Sequence, residues 1–192
     1  MKISAVLPFL LILLFSCAQE NKNVGCEKLY ESENLWVLNN IPYTGICENH
    51  ENGILEYYSE FEGGLMKRTT QVYPDGQPEE IVEWNNGKPN GQVKYFHKNG
   101  QISLEGQLVN DSKEGIWKTY YQSGQLESVE NWKENQMQDS VFGYFENGNL
   151  EIIGFFLNDK QDGRWIMYDS ANGEVDGYLN YNNGKVINGK EK

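Results

Sequence analysis

The sequence predicts an all-β chain: an elongated antiparallel meander of about six β-hairpin repeats, mostly a single-layered twisted sheet. Three observations predict it. A small polar residue followed by Gly recurs at Asn52-Gly53, Asp75-Gly76, Asn99-Gly100, Ser123-Gly124, Asn147-Gly148 and Asn172-Gly173, with these glycines 23, 24, 24, 24 and 25 residues apart. Two residues after each Gly stand Leu55, Pro78, Ile102, Leu126, Leu150 and Val175; eight after it stand Phe61, Trp84, Leu108, Trp132, Phe156 and Tyr181. Eleven after it stand Gly64, Gly87, Asp111, Asn135, Asp159 and Gly184, all residue types that tolerate left-handed backbone. Self-similarity at a fixed interval of this length is the mark of a repeat architecture.

Each unit reads as strand, tight turn, strand, turn. Asn-Gly and Asp-Gly between alternating apolar residues predict two-residue type I′ hairpins, whose central residues both need positive φ. That register sets Tyr121 opposite Leu126 and Phe145 opposite Leu150, on one face with Trp117, Trp132, Val141 and Phe156. Lys118, Tyr120, Glu127 and Asn131 then lie on the wetter face. Cross-strand pairs contribute only about 0.2–1 kcal/mol each, so a unit survives by stacking on its neighbours. Twenty Gly and twelve Tyr in 192 residues agree with short strands and many turns, and 23% charged residues is ordinary for a soluble protein.

The amino terminus has a different character. Lys2 precedes fourteen uncharged residues, Ile3 to Ser16, fewer than the roughly 20 that span a bilayer as a helix. A secretory signal peptide over 1–16 fits instead. Its end, "LFSC", resembles the bacterial lipoprotein signal, with Leu14 three before the cysteine and small Ser16 directly before it. That resemblance implies that Cys17 receives a diacylglycerol thioether and is acylated further with palmitate, anchoring the chain to a membrane in the cell envelope. Ala18, rather than an inner-membrane-retaining aspartate, implies the outer membrane. An ordinary cleaved signal would leave Cys17 incidental, though such a signal has no need of a cysteine at its end.

Residues 17–33 read as a tether. Their Cys26 pairs most simply with Cys47 as a disulfide in an oxidising envelope, worth about 3 kcal/mol on the chain-entropy estimate. A metal site is the weaker reading, since neither cysteine belongs to a C-x-x-C or close His pattern. Removing 1–16 takes away only Lys2, which leaves 15 basic against 28 acidic residues, net −13. Such a surface disfavours nucleic acid and anionic headgroups as partners.

The stretch "GIWKTYYQSGQLESVENWKENQ", residues 115–136, resembles the MORN-repeat variant of many bacterial proteins, and the likeness covers about residues 34–188, leaving 189–192 as a tail. "NNIPYTG" at 39–45 and "NNGKPNG" at 85–91 match the inter-repeat turn. "NLWVL" at 34–38 is then the closing strand of a truncated first unit that caps the array. The first complete unit is one residue short between Gly45 and Gly53. The last, "YDSANG", is one long, which predicts a wider turn near residues 169–171. The resemblance implies an elongated sheet that contacts proteins or membranes, and many relatives carry an antitoxin label. Lipid-binding members lean on basic residues, and this acidic chain departs from them.

No constellation for catalysis emerges, so no enzyme activity and no cofactor are expected. His50 and His97 hold equivalent places and stand roughly 19 Å apart along the sheet, too far to share a metal. Glu56, Glu79, Ser103, Glu127, Glu151 and Asp176, three after each turn Gly, form a row that is acidic in five of six units and projects to the wetter face. Neighbours in it are roughly 9.6 Å apart, just beyond the spacing of an inverting glycosidase pair and too wide to converge on calcium. A row repeated in nearly every unit reads as a contact surface for a basic protein partner rather than as a unique catalytic pair. Ser123 lacks a G-x-S-x-G frame, and "EGG" at 62–64 sits in a turn rather than before a helix. Tyr57, Tyr58, Tyr120, Tyr121 and Tyr144 could line a carbohydrate or peptide groove, or simply pack on the sheet. The functional expectation is a lipid-anchored, non-catalytic interaction or scaffold module, with an immunity protein that neutralises a toxin as the alternative.

Overall fold

The computed structural model describes residues 23–191. The signal segment 1–16 and the acceptor Cys17 lie outside the described residues. The chain begins with β1 (Val24–Gly25), a 3-10 turn (Cys26–Lys28), β2 (Tyr30–Ser32), β3 (Leu35–Leu38) and β4 (Ile41–Pro42). The repeats follow as β5 (Gly45–Glu51), β6 (Ile54–Glu62), β7 (Leu65–Val72), β8 (Pro78–Asn85), β9 (Lys88–Phe96), β10 (Ile102–Val109) and β11 (Ser112–Tyr120). They continue through β12 (Leu126–Lys133), β13 (Gln136–Tyr144), β14 (Leu150–Leu157), β15 (Lys160–Gln161), β16 (Gly163–Tyr168), β17 (Val175–Asn182) and β18 (Lys185–Glu191). β5 to β14 and then β16 to β18 neighbour one another in chain order, all antiparallel, within a 15-stranded open sheet. β15 pairs with β14, and β1 adds to β5 in parallel. The all-β hairpin meander is therefore the observed fold.

Two kinds of turn alternate along it. At the position eleven after each repeat Gly, both central residues have positive φ: 51° and 73° at Asn86-Gly87, 51° and 70° at Asn110-Asp111, 51° and 64° at Glu134-Asn135, 51° and 63° at Asn158-Asp159. These are the type I′ hairpins. At the Asn-Gly sites the expected I′ geometry holds only at Asn52-Gly53, with φ 52° and 81° and with His50 opposite Leu55. From the second unit to the fifth only the Gly is left-handed, as at Gly124 with φ 84°. There Tyr121 N–H donates to Gln125 O at 2.9 Å and Gly124 N–H to Tyr121 O at 2.9 Å, a three-residue loop.

The polar residue before that Gly has its role through its side chain. Asp75 Oδ1 accepts from Gln77 N–H at 3.0 Å, Asn99 Oδ1 from Gln101 N–H at 3.1 Å and Asn147 Oδ1 from Asn149 N–H at 2.9 Å. The longer loop shifts the register: Leu126 lies opposite Tyr120 and Leu150 opposite Tyr144, while Tyr121 and Phe145 close the loops. Leu126 thus shares the face of Tyr120 and Lys118, not that of Trp117. The last turn is wider, as its extra residue predicts: Asp169 N–H donates to Glu174 O at 2.8 Å, and Asp169 Oδ1 gathers the N–H groups of Ala171 and Asn172.

A bulge in the middle of each long hairpin decides where the core sits. Val82 opposes Val93 but Trp84 opposes Pro89, so two residues on β8 face four on β9; β10 against β11 and β12 against β13 repeat this. The bulge carries a left-handed residue every 24 positions: Gly91, Gly115, Asp139 and Gly163. Two residues beyond each of them Val93, Trp117, Val141 and Trp165 are buried. Each Trp of this row is matched by a Gly on a strand paired with its own. A Cβ on Gly106 would lie 2.2 Å from the Trp117 ring, and one on Gly154 would lie 2.3 Å from the Trp165 ring.

The amino-terminal end is covered. Leu29, Tyr43, Cys47 and Phe61 form a buried cluster with Trp36, Leu38 and Met66 packed on it, and Cys26 is disulfide-bonded to Cys47. Residues 34–38 do cap the array, but from a separate three-stranded sheet β2-β3-β4 rather than as a strand of the meander. Pro42 has no N–H to continue a ladder, and the chain turns away at Gly45 with φ 146°. The two sheets join where Trp36 N–H donates to Gly64 O at 2.8 Å and Gly64 N–H to Tyr43 O at 2.7 Å.

Candidate functional site

Repetition brings equivalent side chains to the same edge of the ribbon. On the edge of the three-residue loops, Tyr73 Oη donates to Phe96 O at 2.7 Å, His97 Nε2 to Tyr120 O at 2.8 Å and Tyr121 Oη to Tyr144 O at 2.8 Å. Each loop is thereby tied to the next unit. Because a carbonyl can only accept, His97 carries its proton on Nε2 here and serves as a rung of this ladder. His50 lies 3.9 Å from a Glu48 oxygen.

The acidic row stands beside that ladder, and the structure supplies its reason. Glu56, Glu79, Ser103, Glu127, Glu151 and Asp176 are each the extra, unpaired residue of a β-bulge just after the loop. Glu56, Glu79, Glu151 and Asp176 are exposed and Glu127 is half-buried. Their field is felt locally. The Tyr121 hydroxyl is pushed up by burial and then by the charges of Glu127, Glu151 and Glu146; Tyr73 is pushed up by burial and then by Glu79 and Asp75. A side-chain hydrogen bond with Glu51 raises the Glu56 carboxyl, because one proton can serve both acids.

On the opposite edge the type I′ turns are stitched to one another. Asn135 N–H donates to Lys113 O at 3.2 Å while Asn135 Oδ1 accepts from Lys113 N–H at 2.7 Å; Asp159 and Met137 repeat the exchange at 3.1 Å and 2.7 Å. Asp111 N–H likewise reaches Pro89 O at 2.8 Å, but Pro89 has no N–H to return, so the Asp111 carboxylate is left to face the adjoining surface.

That surface is a groove of about 550 Å³ across β7 to β11, lined by Trp84, Val93, Tyr95, Leu104, Leu108 and Trp117 among others, with Glu80, Asp111 and Lys113 at its polar points. Trp84 Nε1 donates to Thr69 Oγ1 at 3.0 Å and Trp132 Nε1 to Glu130 Oε2 at 2.9 Å, which fixes both indoles. Tyr95 is pushed up to about 12 by burial and by its hydrogen bond to Glu80. Lys113 Nζ sits 4.4 Å from the Trp117 ring centroid and 4.1 Å from that of Trp132.

The tyrosines that could have lined a groove are dispersed. Tyr57 and Tyr58 are successive strand residues and face opposite ways, Tyr120 Oη donates to Glu105 at 2.7 Å, and Tyr121 belongs to the loop ladder. The groove that does form uses Trp84, Tyr95 and Trp117 instead. Its signal was present in the sequence: Trp84, Leu108, Trp132 and Phe156 recur in register, and Lys113 is the single basic residue at a position held by Pro89, Met137 and Gln161 in neighbouring units. Among the described residues no group of three His, Cys, Asp or Glu side chains is placed to hold a metal, and no helix is long and apolar enough to cross a membrane.

Comparison with known proteins identifies the repeat. No curated protein matches the chain. A solved structure described as the crystal structure of the GtfA/B complex bound to UDP and GlcNAc aligns at 11% identity with a TM-score of 0.19, covering 77% of this chain and 24% of that one. A score that low carries no argument. The family model for the MORN repeat variant matches residues 89–110, 113–134 and 140–158. These stretches take in β9 to β14, so residues 89–158 of this chain match three successive repeats of the MORN repeat variant.

Proposed function

We propose that this chain is a lipid-anchored, non-catalytic interaction module of the cell envelope, which offers its long sheet to a basic protein partner. The observation that carries the reading is the acidic row: five carboxylates held at bulges along one edge of an open sheet, in a chain of net charge −12. Glu79, Glu151 and Asp176 are exposed there, which leaves their side chains open to contact. A regular row of like charge steers an oppositely charged surface and fixes its register. MORN-variant repeats suit such a role, since each unit adds contact area without adding a reaction centre.

Crosslinking in the native cell, followed by partner identification, tests the module. The expected result is a reproducible protein partner whose capture falls, and loses salt sensitivity, in a Glu127→Gln/Glu151→Gln variant. Unchanged capture and salt dependence would remove the acidic row from the reading. The anchor is part of the same proposal: palmitate should label wild type and not Cys17→Ala, and equal labelling would refute it.

A further inference from the structure

We infer that the Trp117–Trp132 pair, together with the groove that ends at Trp117, forms a receptor for the Lys or Arg side chains of an extended basic segment in a protein partner, with Lys113 as the occupant that the partner displaces. This rests on the proposed interaction role and assigns it a second, distinct surface. Three observations lead there. First, two indole faces already hold an ammonium, at 4.4 Å and 4.1 Å, and that ammonium makes no ion pair among the described residues. An aromatic pair with these distances suits any alkylammonium or guanidinium, and Arg most of all.

Second, the lysine is not demanded by the scaffold. Pro89, Met137 and Gln161 occupy its place in the other units, and the same hairpins form there. The Lys113 backbone is pinned at both N–H and C=O by Asn135, so its side chain can swing away without disturbing the strand. Third, the groove fits a chain better than a small solute. It runs from Thr69 on β7 to Lys113 and Trp117 on β11, four strand spacings, roughly 19 Å. That is the length of about six extended residues. Glu80 and Asp111 line it, so cationic side chains on alternate residues would meet acids as well as rings.

Fluorescence anisotropy of a labelled hexapeptide of alternating Arg and Ala, titrated with the full chain, tests the inference. Lys113→Ala should bind it at least about fivefold more tightly than wild type. Lys133→Ala, which removes the same charge from an exposed position, should change binding less than about twofold. Adding Trp132→Leu to Lys113→Ala should abolish the gain; Leu108 holds the equivalent place, so this unit can accept leucine. Equal effects of the two lysine variants would reduce the gain to net charge and overturn the receptor, whatever the folding of the Trp132 variant. Equal binding of a Glu-Ala peptide would overturn it too. Failure here with a retained Glu127/Glu151 effect places the partner on the loop edge alone; a tighter Lys113→Ala with no such effect leaves the groove as the docking surface.

Discussion

Gly106→Ala isolates the packing that holds the middle of the sheet together. An alanine Cβ would lie 2.2, 2.4 and 2.6 Å from Trp117 Cδ2, Cε2 and Cγ, where carbon atoms rest at about 3.5–4.0 Å. The ring must therefore retreat by more than 1 Å, by about 1.3 Å on those distances. It has little room, being 2% exposed and covered by Lys113. Overpacking typically destabilises by about 1–3 kcal/mol, and a rigid indole clamped on its other side places this case near the top, at about 3 kcal/mol. For a chain of this size that is roughly 6–12 °C in Tm.

Urea unfolding of the full chain, followed by far-UV circular dichroism and by tryptophan fluorescence together, gives the free energy and checks that one transition is being read. The decisive measurement is a double-mutant cycle with Trp117→Val, since Val stands at the equivalent positions 93 and 141. In that background Gly106→Ala should cost less than about 0.5 kcal/mol, giving a coupling of about 2.5 kcal/mol. Gly173→Ala, at φ 69° with open space around the added methyl, serves as the control for backbone strain alone and should cost about 1–2 kcal/mol in either background. A Gly106→Ala protein as stable as wild type, or one equally penalised when combined with Trp117→Val, would refute the ring-on-glycine account.

Two further perturbations follow from the same structure. Cys26→Ser/Cys47→Ser should remove about 3 kcal/mol, read as an earlier urea transition and, because the bridge spans the cap, as faster amide exchange in β2 to β4 than in β11 to β13. Tyr95 and Tyr120 are both raised to about 12 by burial and by hydrogen bonds to Glu80 and Glu105. With the folded value above the unfolded one near 10, the native state holds the proton longer, so their stabilisation is complete below pH 10 and is lost as pH climbs towards 12. Tyr95→Phe/Tyr120→Phe should flatten the fall in urea midpoint over that window, and an unaltered slope would count against these two groups as its source.

Period and strand order were legible in the sequence because they depend only on which residues accept positive φ: Asp111, Asn135 and Asp159 betray the type I′ turns even without glycine. The Asn-Gly turns misled because Asn has two uses. It can enter the left-handed region itself, as Asn52 does, or stay outside it and accept a hydrogen bond from two residues on, as Asn99 and Asn147 do. Composition does not separate these, and one extra loop residue moves Leu126 to the other face. The acidic row is legible in the sequence as a repeated position, but its place at a bulge is not, since a bulge is a property of two strands at once. A second signal lies in the sequence: Gly91, Gly115 and Gly163 are spaced in multiples of 24 and mark the central bulges that set Trp117 and Trp165 inward.

The disulfide-bonded cap is at the amino-terminal end, and the opposite end is a bare strand, β18, with Val186 and Ile187 at 55% and 63% exposure. Apart from β1, and from the step of β14 over the two-residue β15 to β16, every pairing joins strands that are consecutive along the chain. An amino terminus that emerges first would therefore present the cap before the repeats, and each later hairpin would add to an edge already waiting for it. Growth in that order would be vectorial, and loss among the described residues should run the other way, fraying inward from β18 while the clasped beginning persists.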